Sequence, residues 1–165
     1  LRVPFYNHAL IRESIALCSV LKLSDEELER VTQACELDSS LTSIDALGEL
    51  RSNFNLDFVV MTKGAEGAVL INSPRVVRQP GEPATVVDTV GAGDCFNAGF
   101  LMALQMQAAL PDALRAGIEV AGKAIASNPR KYPEISDLCP DVAAVLSAPV
   151  PTGEEIMTFD QVENS

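Results

Sequence analysis

The run Asp88-Thr89-Val90-Gly91-Ala92-Gly93-Asp94-Cys95-Phe96 constrains this chain more than any other stretch. Two glycines flank an alanine, and an aspartate follows at once. Upstream lies the extended apolar stretch Ala84-Thr85-Val86-Val87; downstream, residues 95–106 carry a helical pattern. Together they predict a strand, a glycine turn and the first turn of a helix. Exposed N–H groups at such a helix start attract anions, phosphate above all. Small residues let a phosphate come close to the backbone. A carboxylate at the mouth of an anion site repels phosphate if binding is the only task. It makes sense as a base that removes a proton from whatever attacks the phosphate. The plainer alternative is a glycine turn in which Asp94 merely favours the helix dipole.

The rest of the chain alternates helices and strands. Ile11, Ile15 and Cys18 mark a helix over 7–18, with Asn7 as its N-cap. Residues 18–23 read as a short strand, and Ser24-Asp25-Glu26-Glu27 opens a second helix with Leu28, Val31 and Cys35 on one face. A loop over 37–42 precedes a third helix over 43–54. The β-branched run 57–61 predicts a buried strand. Thr62-Lys63-Gly64-Ala65-Glu66-Gly67 follows it, and 68–71 forms the next strand. The turn Asn72-Ser73-Pro74 predicts an antiparallel ribbon continuing through 75–78. After the nine-residue run, Leu110-Pro111-Asp112 breaks the chain, and Leu114, Ile118, Ala121 and Ile125 stripe a long helix. Prolines 129, 133 and 140 mark a loop over 127–140. A short helix over 141–146 and a last helical turn beginning at Pro151 end the pattern. This alternation predicts a layered α/β fold. No Pro- or Gly-rich linker divides it, so residues 1–165 read as one domain. Ligands in such sheets sit at the carboxyl ends of strands, where both glycine segments fall.

Composition excludes several classes of function. The formal net charge of -11 argues against a nucleic-acid partner, which needs clustered Lys and Arg. Four cysteines, at 18, 35, 95 and 139, form no C-x-x-C pair, and none lies near His8, the only histidine. Zinc spacing is therefore missing. Reduced thiols in a cytoplasmic protein are the simplest expectation. No apolar run reaches the roughly 18 residues of a membrane span, and no signal-peptide pattern is present.

The run 88–96 resembles the signature of the ribokinase-like carbohydrate kinase family, Asp-Thr-x-Gly-Ala-Gly-Asp-x-Phe, with every fixed position filled. The resemblance implies a three-layer α/β/α ribokinase-like fold, of which this chain is the C-terminal, nucleotide-binding portion. The start at Leu1, without Met, fits that expectation. It also implies ATP as phosphate donor with Mg²⁺, a small-molecule sugar as acceptor, and Asp94 as general base. Gly91, Ala92 and Gly93 would form the anion hole. Thr62-Lys63-Gly64-Ala65-Glu66-Gly67 looks like the family's Thr-x-Gly-x-x-Gly nucleotide loop, in which Thr62, Lys63, Gly64 and Gly67 would meet ATP. Val120 and Ala121 would touch the adenine. Asp88 and the Val90 carbonyl would contribute to a monovalent cation site, K⁺ in the family; the alternative is an Asp88 that caps its own turn. The family adds ion ligands from a Gly-containing loop after the long helix. Here Ser127-Asn128-Pro129-Arg130-Lys131-Tyr132-Pro133 contains no Gly.

Glu27 stands between two readings. Ser at the N-cap with Glu three residues on is a capping box. The family often has Asn-x-x-Glu here, with the Glu near magnesium. Glu27 serves both only if its side chain points away from Ser24. Two other motifs fail on chemistry. Gly117-Ile118-Glu119-Val120-Ala121-Gly122-Lys123-Ala124 nearly spells a P-loop but lacks the Ser/Thr hydroxyl and a preceding strand. Gly91-x-Gly93 begins a dinucleotide fingerprint, but Phe96 replaces its third Gly. The opening Leu1-Arg2-Val3-Pro4-Phe5-Tyr6 and the stretch 21–28 look most like fructokinases and also fit 2-keto-3-deoxygluconate kinases. Ribokinase, nucleoside kinase and vitamin-kinase readings, and a non-catalytic nucleotide-binding regulatory module, remain alternatives. A homodimer is compatible with all of them, and no membrane partner is expected.

Overall fold

A helix begins where something accepts its unpaired backbone N–H groups, and three such starts are legible in the first half of the chain. The computed structural model describes residues 6–72, 74–127 and 132–150. Helix α1 (His8–Ala16) is capped by Asn7, whose side-chain oxygen accepts from the Leu10 amide at 2.8 Å. Helix α2 (Asp25–Ala34) starts after Ser24, and helix α3 (Ser43–Asn53) after Thr42, whose hydroxyl accepts from the Asp45 amide at 3.2 Å. At α2 the Glu27 carboxylate reaches back, accepting from the Ser24 amide at 2.9 Å and the Ser24 hydroxyl at 3.2 Å.

Packing divides the chain into two compact units, Leu1–Arg78 and Gln79–Ser165, where the sequence reads as one domain. The first unit is built on a mixed sheet in the order β1 (Val20–Ser24), β2 (Phe58–Thr62), β3 (Ala68–Asn72), β4 (Arg75–Gln79). β1 and β2 are parallel, with Val20 opposite Phe58 and Ser24 opposite Thr62. β2 and β3 are antiparallel, with Val59 opposite Ile71 and Thr62 opposite Ala68. Side chains alternate across a strand. Val59 and Met61 of β2, with Leu23, Val69 and Ile71, therefore join Ile11, Ile15, Val31, Leu47 and Leu50 of the helices in one core cluster. Phe58 and Val60, on the opposite face, are also buried. This two-sided burial is why β2 reads as an unbroken apolar run.

The second unit is helical among its described residues: α4 (Ala92–Gln105), α5 (Leu110–Ala126) and α6 (Pro140–Leu146). Pro111 does not break the chain but sits in the first turn of α5, where a missing N–H costs nothing. α4 and α5 approach closely through glycine. A Cβ placed on Gly99 would lie 2.7 Å from the Ala116 carbonyl oxygen, and one on Gly117 would lie 2.9 Å from the Phe96 ring. Gly117 therefore serves packing, and the near-P-loop segment lies wholly inside α5.

Several expectations need correction. Residues 84–87 form no strand. Val86 and Val87 are 59% and 60% exposed, and the Val87 and Asp88 amides donate to the Ile125 carbonyl at the end of α5, at 2.8 and 3.3 Å. A helix-end carbonyl has thus taken the place of a neighbouring strand. The strand expected at 18–23 begins at Val20, because the Cys18 amide still closes α1 on the Ile15 carbonyl at 3.0 Å. The buried face of α5 carries Ala113, Leu114, Ala116 and Gly117, whereas Ile118, Ala121 and Ile125 are only half-buried. The loop expected over 127–140 holds a 3₁₀ turn, Ile135–Asp137, before α6. Ser73, residues 128–131, the opening 1–5 and the helical turn expected at Pro151 lie outside the described residues.

Gly99→Ala is expected to destabilise the second unit by about 1–3 kcal/mol, because its Cβ meets main chain. Gly122→Ala, in the same helical hairpin with nothing within 4 Å, is expected to stabilise by up to about 1 kcal/mol. Denaturant unfolding of the two variants checks both signs. Burial opposes ionisation of the Glu27 carboxyl, but hydrogen bonds and a positive charge that favour its ionised form, with the Ser24 amide and hydroxyl contributing, outweigh it and hold the carboxyl below its usual range. A carboxyl with a depressed folded-state pKa stabilises above its unfolded value and loses that contribution as pH falls through the folded one. Glu27→Ala is therefore expected to cost about 1 kcal/mol at neutral pH and progressively less as acid protonates the wild type. Thermal melts of both proteins across the acid range measure the convergence.

Candidate active site

The candidate residues fall in two places, one in each unit. In the first unit the parallel strands β1 and β2 end side by side, with Ser24 opposite Thr62. The Thr62 hydroxyl donates to the Leu23 carbonyl at 3.4 Å, across the two strands. The chain then makes a tight turn, Gly64–Glu66, closed by the Lys63 amide on the Gly67 carbonyl at 2.8 Å and the Gly67 amide on the Gly64 carbonyl at 3.2 Å. Gly67 has φ 94° and ψ -134°, a conformation open essentially to glycine alone. Gly64 has φ 52° and no atom within 4 Å of where a Cβ would stand. Its side of the turn is open to a ligand.

Lys63 does not present a bare cation. Its ammonium pairs with the Glu66 carboxylate three residues on, and that contact holds the Glu66 carboxyl below its usual range. Glu66 is the residue that sequence reasoning passed over. The signal was the i, i+3 spacing of opposite charges inside one turn.

Glu27 sits in the same unit beside these strand ends. It lines an apolar recess of about 220 Å³ with Tyr6, Ile11, Leu21 and Val31. Its side chain points at Ser24, the arrangement that makes it a cap. Of the two readings of Glu27, these hydrogen bonds support the cap. Among the described residues no group of three or more His, Cys, Asp or Glu side chains gathers to hold a metal.

In the second unit the turn before α4 is built by local hydrogen bonds. The Val90 amide donates to Asp88 Oδ1 at 2.9 Å, which makes Asp88 the cap of its own turn. Of the two readings of Asp88, this is the one its hydrogen bond supports. Gly91, at φ 83°, is the left-handed residue that swings the chain into the helix. The Ala92 amide turns back to the Thr89 carbonyl at 3.2 Å, and the Cys95 amide closes the first helical bond on the Gly91 carbonyl at 2.9 Å. Ala92 is thus a weaker member of the anticipated anion hole than its neighbours. Among the described residues, no backbone carbonyl takes the Gly93 amide.

Asp94 follows within the first turn of α4 and is exposed. No ion pair or hydrogen bond engages its carboxylate among the described residues. Burial pushes the neighbouring Cys95 thiol up, and the Asp94 charge pushes it further. Cys95 and Phe96 are buried beneath the turn, and Phe96 stacks on Phe100 with ring centroids 5.8 Å apart. Those buried neighbours fix the orientation of the first turn. Val120 and Ala121 lie half-buried on α5. The second unit therefore collects Asp88, Val90, the glycine turn, Asp94 and the two α5 residues, and the first unit collects Thr62, Lys63, Gly64, Gly67 and Glu27.

Among the described residues no helix is long and apolar enough to cross a membrane, and all four cysteines are free.

The chain is similar to several known proteins. A fructokinase from Rhizobium leguminosarum bv. trifolii is 42% identical over 98 residues, which cover 59% of this chain and 28% of that protein. The crystal structure of aminoimidazole riboside kinase from Salmonella enterica, complexed with aminoimidazole riboside and an ATP analog, matches 98% of this chain and 48% of its own at a TM-score of 0.63 and 26% identity. A double-mutant fructokinase from Vibrio cholerae O395, bound to fructose, ADP and potassium ion, matches 73% of this chain and 39% of its own at a TM-score of 0.60 and 25% identity. The chain thus spans less than half the length of these relatives. Its fold is the α/β fold of the ribokinase-like kinases. The profile of the pfkB family of carbohydrate kinases matches residues 1–130, most of the chain, and the chain belongs to that family.

Proposed function

We propose that this chain carries the nucleotide-binding part of an ATP-dependent sugar kinase, with Asp94 as the general base and fructose as the first acceptor to test. The observation that carries the reading is the Asp94 carboxylate: exposed in the first turn of α4, behind a left-handed Gly91, and without an ion pair among the described residues. In this reading Asp94 takes the proton of a sugar hydroxyl as that oxygen attacks the γ-phosphate of ATP, and ADP departs. Phosphoryl transfer leaves the protein mostly positioning and charge stabilisation. The Gly93 amide, with that of Gly91, meets negative charge as it develops, and one such donor is worth about 3 kcal/mol. The positive end of the α4 dipole acts in the same direction.

Thr62, Gly64 and Gly67 form the loop along which the nucleotide phosphates pass, and Lys63 reaches them by exchanging Glu66 for phosphate. Val120 and Ala121 offer an apolar face to the base. Magnesium, where ATP brings it, neutralises phosphate charge while keeping several waters. The described residues supply no cluster of three or more carboxylate, His or Cys side chains to hold it. Potassium beside the turn is supported by the Vibrio relative and by the Val90 carbonyl, but Asp88 spends one oxygen on the Val90 amide.

The acceptor rests on likeness, because a fructokinase and an aminoimidazole riboside kinase both stand among the relatives. 2-Keto-3-deoxygluconate and ribose are the alternatives. The Lys63–Glu66 pair and the engaged Ala92 amide favour one reading of another class, a nucleotide-binding module without turnover. An ADP-release assay on the full-length protein, with these acceptors and a nucleoside, separates the readings. Release that depends on fructose supports a fructokinase, and ATP binding without release to any acceptor supports the module.

Asp94→Asn is expected to lower kcat by roughly 10²–10⁴-fold while leaving ATP affinity within about twofold. An Asp94→Asn enzyme that keeps most of its turnover rules Asp94 out as the base. Gly67→Ala, which forces a side chain into a glycine-only conformation, is expected to cost about 1–3 kcal/mol and to raise KM for ATP more than it lowers kcat. Thermal melts beside steady-state kinetics check that variant.

A further inference from the structure

The buried polar group that the chemistry above does not use lies on α5. Glu119 is 2% exposed, and its Oε2 has no hydrogen-bond partner. A buried carboxylate oxygen without a donor is a net cost to folding. Its neighbours one turn earlier on α5 are Arg115 and the buried Ala116, four and three residues back along the same face. What Glu119 does engage is the chain on its return: its Oε1 accepts a hydrogen bond from the Cys139 amide, immediately before Pro140 and α6. Arg115, one turn earlier on α5, reaches the same point. Its guanidinium lies 3.6 Å from Cys139 Sγ and 3.4 Å from the Asp141 carboxylate. Two α5 side chains therefore grip residues 139–141, one of them deep in the interior.

The grip matters because of what lies beside it. Glu119 is followed at once by Val120 and Ala121, the pair assigned above to the nucleotide base. Val120 packs against Gly99 of α4, where a Cβ would meet its Cγ2 at 2.9 Å. Further along α5, the Ile125 carbonyl holds the Val87 and Asp88 amides that lead into the Gly91 turn. The run before Cys139, with its 3₁₀ turn Ile135–Asp137, closes back onto this part of α5 through the Glu119 bond.

We propose that Glu119 is a positioning residue: its carboxylate clamps the Cys139 amide and so fixes the 132–138 run against the segment of α5 that faces the nucleotide base. The proposal rests on the sugar-kinase reading for its consequence, but not for the clamp itself. The test uses the full-length protein with Glu119→Ala and Glu119→Gln, read by amide hydrogen exchange over 132–142 and by ATP kinetics. Glu119→Ala is expected to speed exchange at Cys139 at least about tenfold and to raise KM for ATP by about tenfold, with kcat changed by less than about threefold. Glu119→Gln, whose side-chain oxygen still accepts from the Cys139 amide, is expected to restore both to within about threefold of the parent. Unchanged exchange at Cys139 in Glu119→Ala overturns the clamp, whatever the nucleotide does. Faster exchange spread evenly over α4 and α5, with no rescue by Gln, also overturns it in favour of a packing role. Failure of the parent protein to bind ATP overturns the kinase reading instead, and the exchange measurement still decides the clamp.

Discussion

The turn into α4 depends on one backbone conformation. Gly91 adopts φ 83°, a region costly to any residue with a Cβ, and there the chain changes from an irregular approach to a helix. The consequences follow in order along the chain. The Asp88 carboxylate caps the approach, the Gly93 amide opens the helix, and Asp94 lands in the first turn, exposed. The next residues, Cys95 and Phe96, point inward and are buried. An exposed carboxylate and two core anchors thus follow one another within a single helical turn.

The same economy of glycine governs the helical hairpin beneath the turn. Gly99 and Gly117 let α4 and α5 approach until main-chain atoms of one helix stand where side chains of the other would begin. Close approach brings the end of α5 near enough for the Ile125 carbonyl to accept two amides from the segment before the turn. The hairpin therefore shapes the approach to Gly91 from outside as well as the helix after it. In the first unit the corresponding role belongs to paired strands. β1 and β2 end in register, so a hydroxyl from one strand meets a carbonyl of the other, and the Gly64–Gly67 turn leaves from a fixed edge.

Much of this was legible in residue order. Asn7 and Thr42 start helices because each offers an oxygen to an amide a turn ahead, and Ser24 because its amide and hydroxyl donate to the Glu27 carboxylate, purely local relations. The run 58–62 reads as a strand because β-branched and apolar residues follow one another without a break. The glycine turn and its aspartate were recognisable because every fixed position of the nine-residue family signature is filled. Other features depend on partners far along the chain. Residues 84–87 have strand composition, yet a helix-end carbonyl thirty-eight residues beyond Val87 takes the hydrogen bond a strand would need. Glu119 sits among the small and apolar residues of α5 as a charge without a visible purpose, and only the return of Cys139 gives its carboxylate a partner.

By itself, the amino-acid sequence determined the helix starts, the buried strand β2, the two glycine turns and the identity of the residues around them, because each rests on steric or hydrogen-bonding rules spanning a few residues. Tertiary structure alone decided which groups meet across long stretches of chain. It carried the Val87 and Asp88 amides to the Ile125 carbonyl and the Cys139 amide to Glu119, whereas Lys63, Glu27 and Asp88 take partners within three residues. The physical reason is that a polar group takes whichever partner comes within hydrogen-bond reach, and between groups far apart in the chain reach is a property of the folded path rather than of residue order.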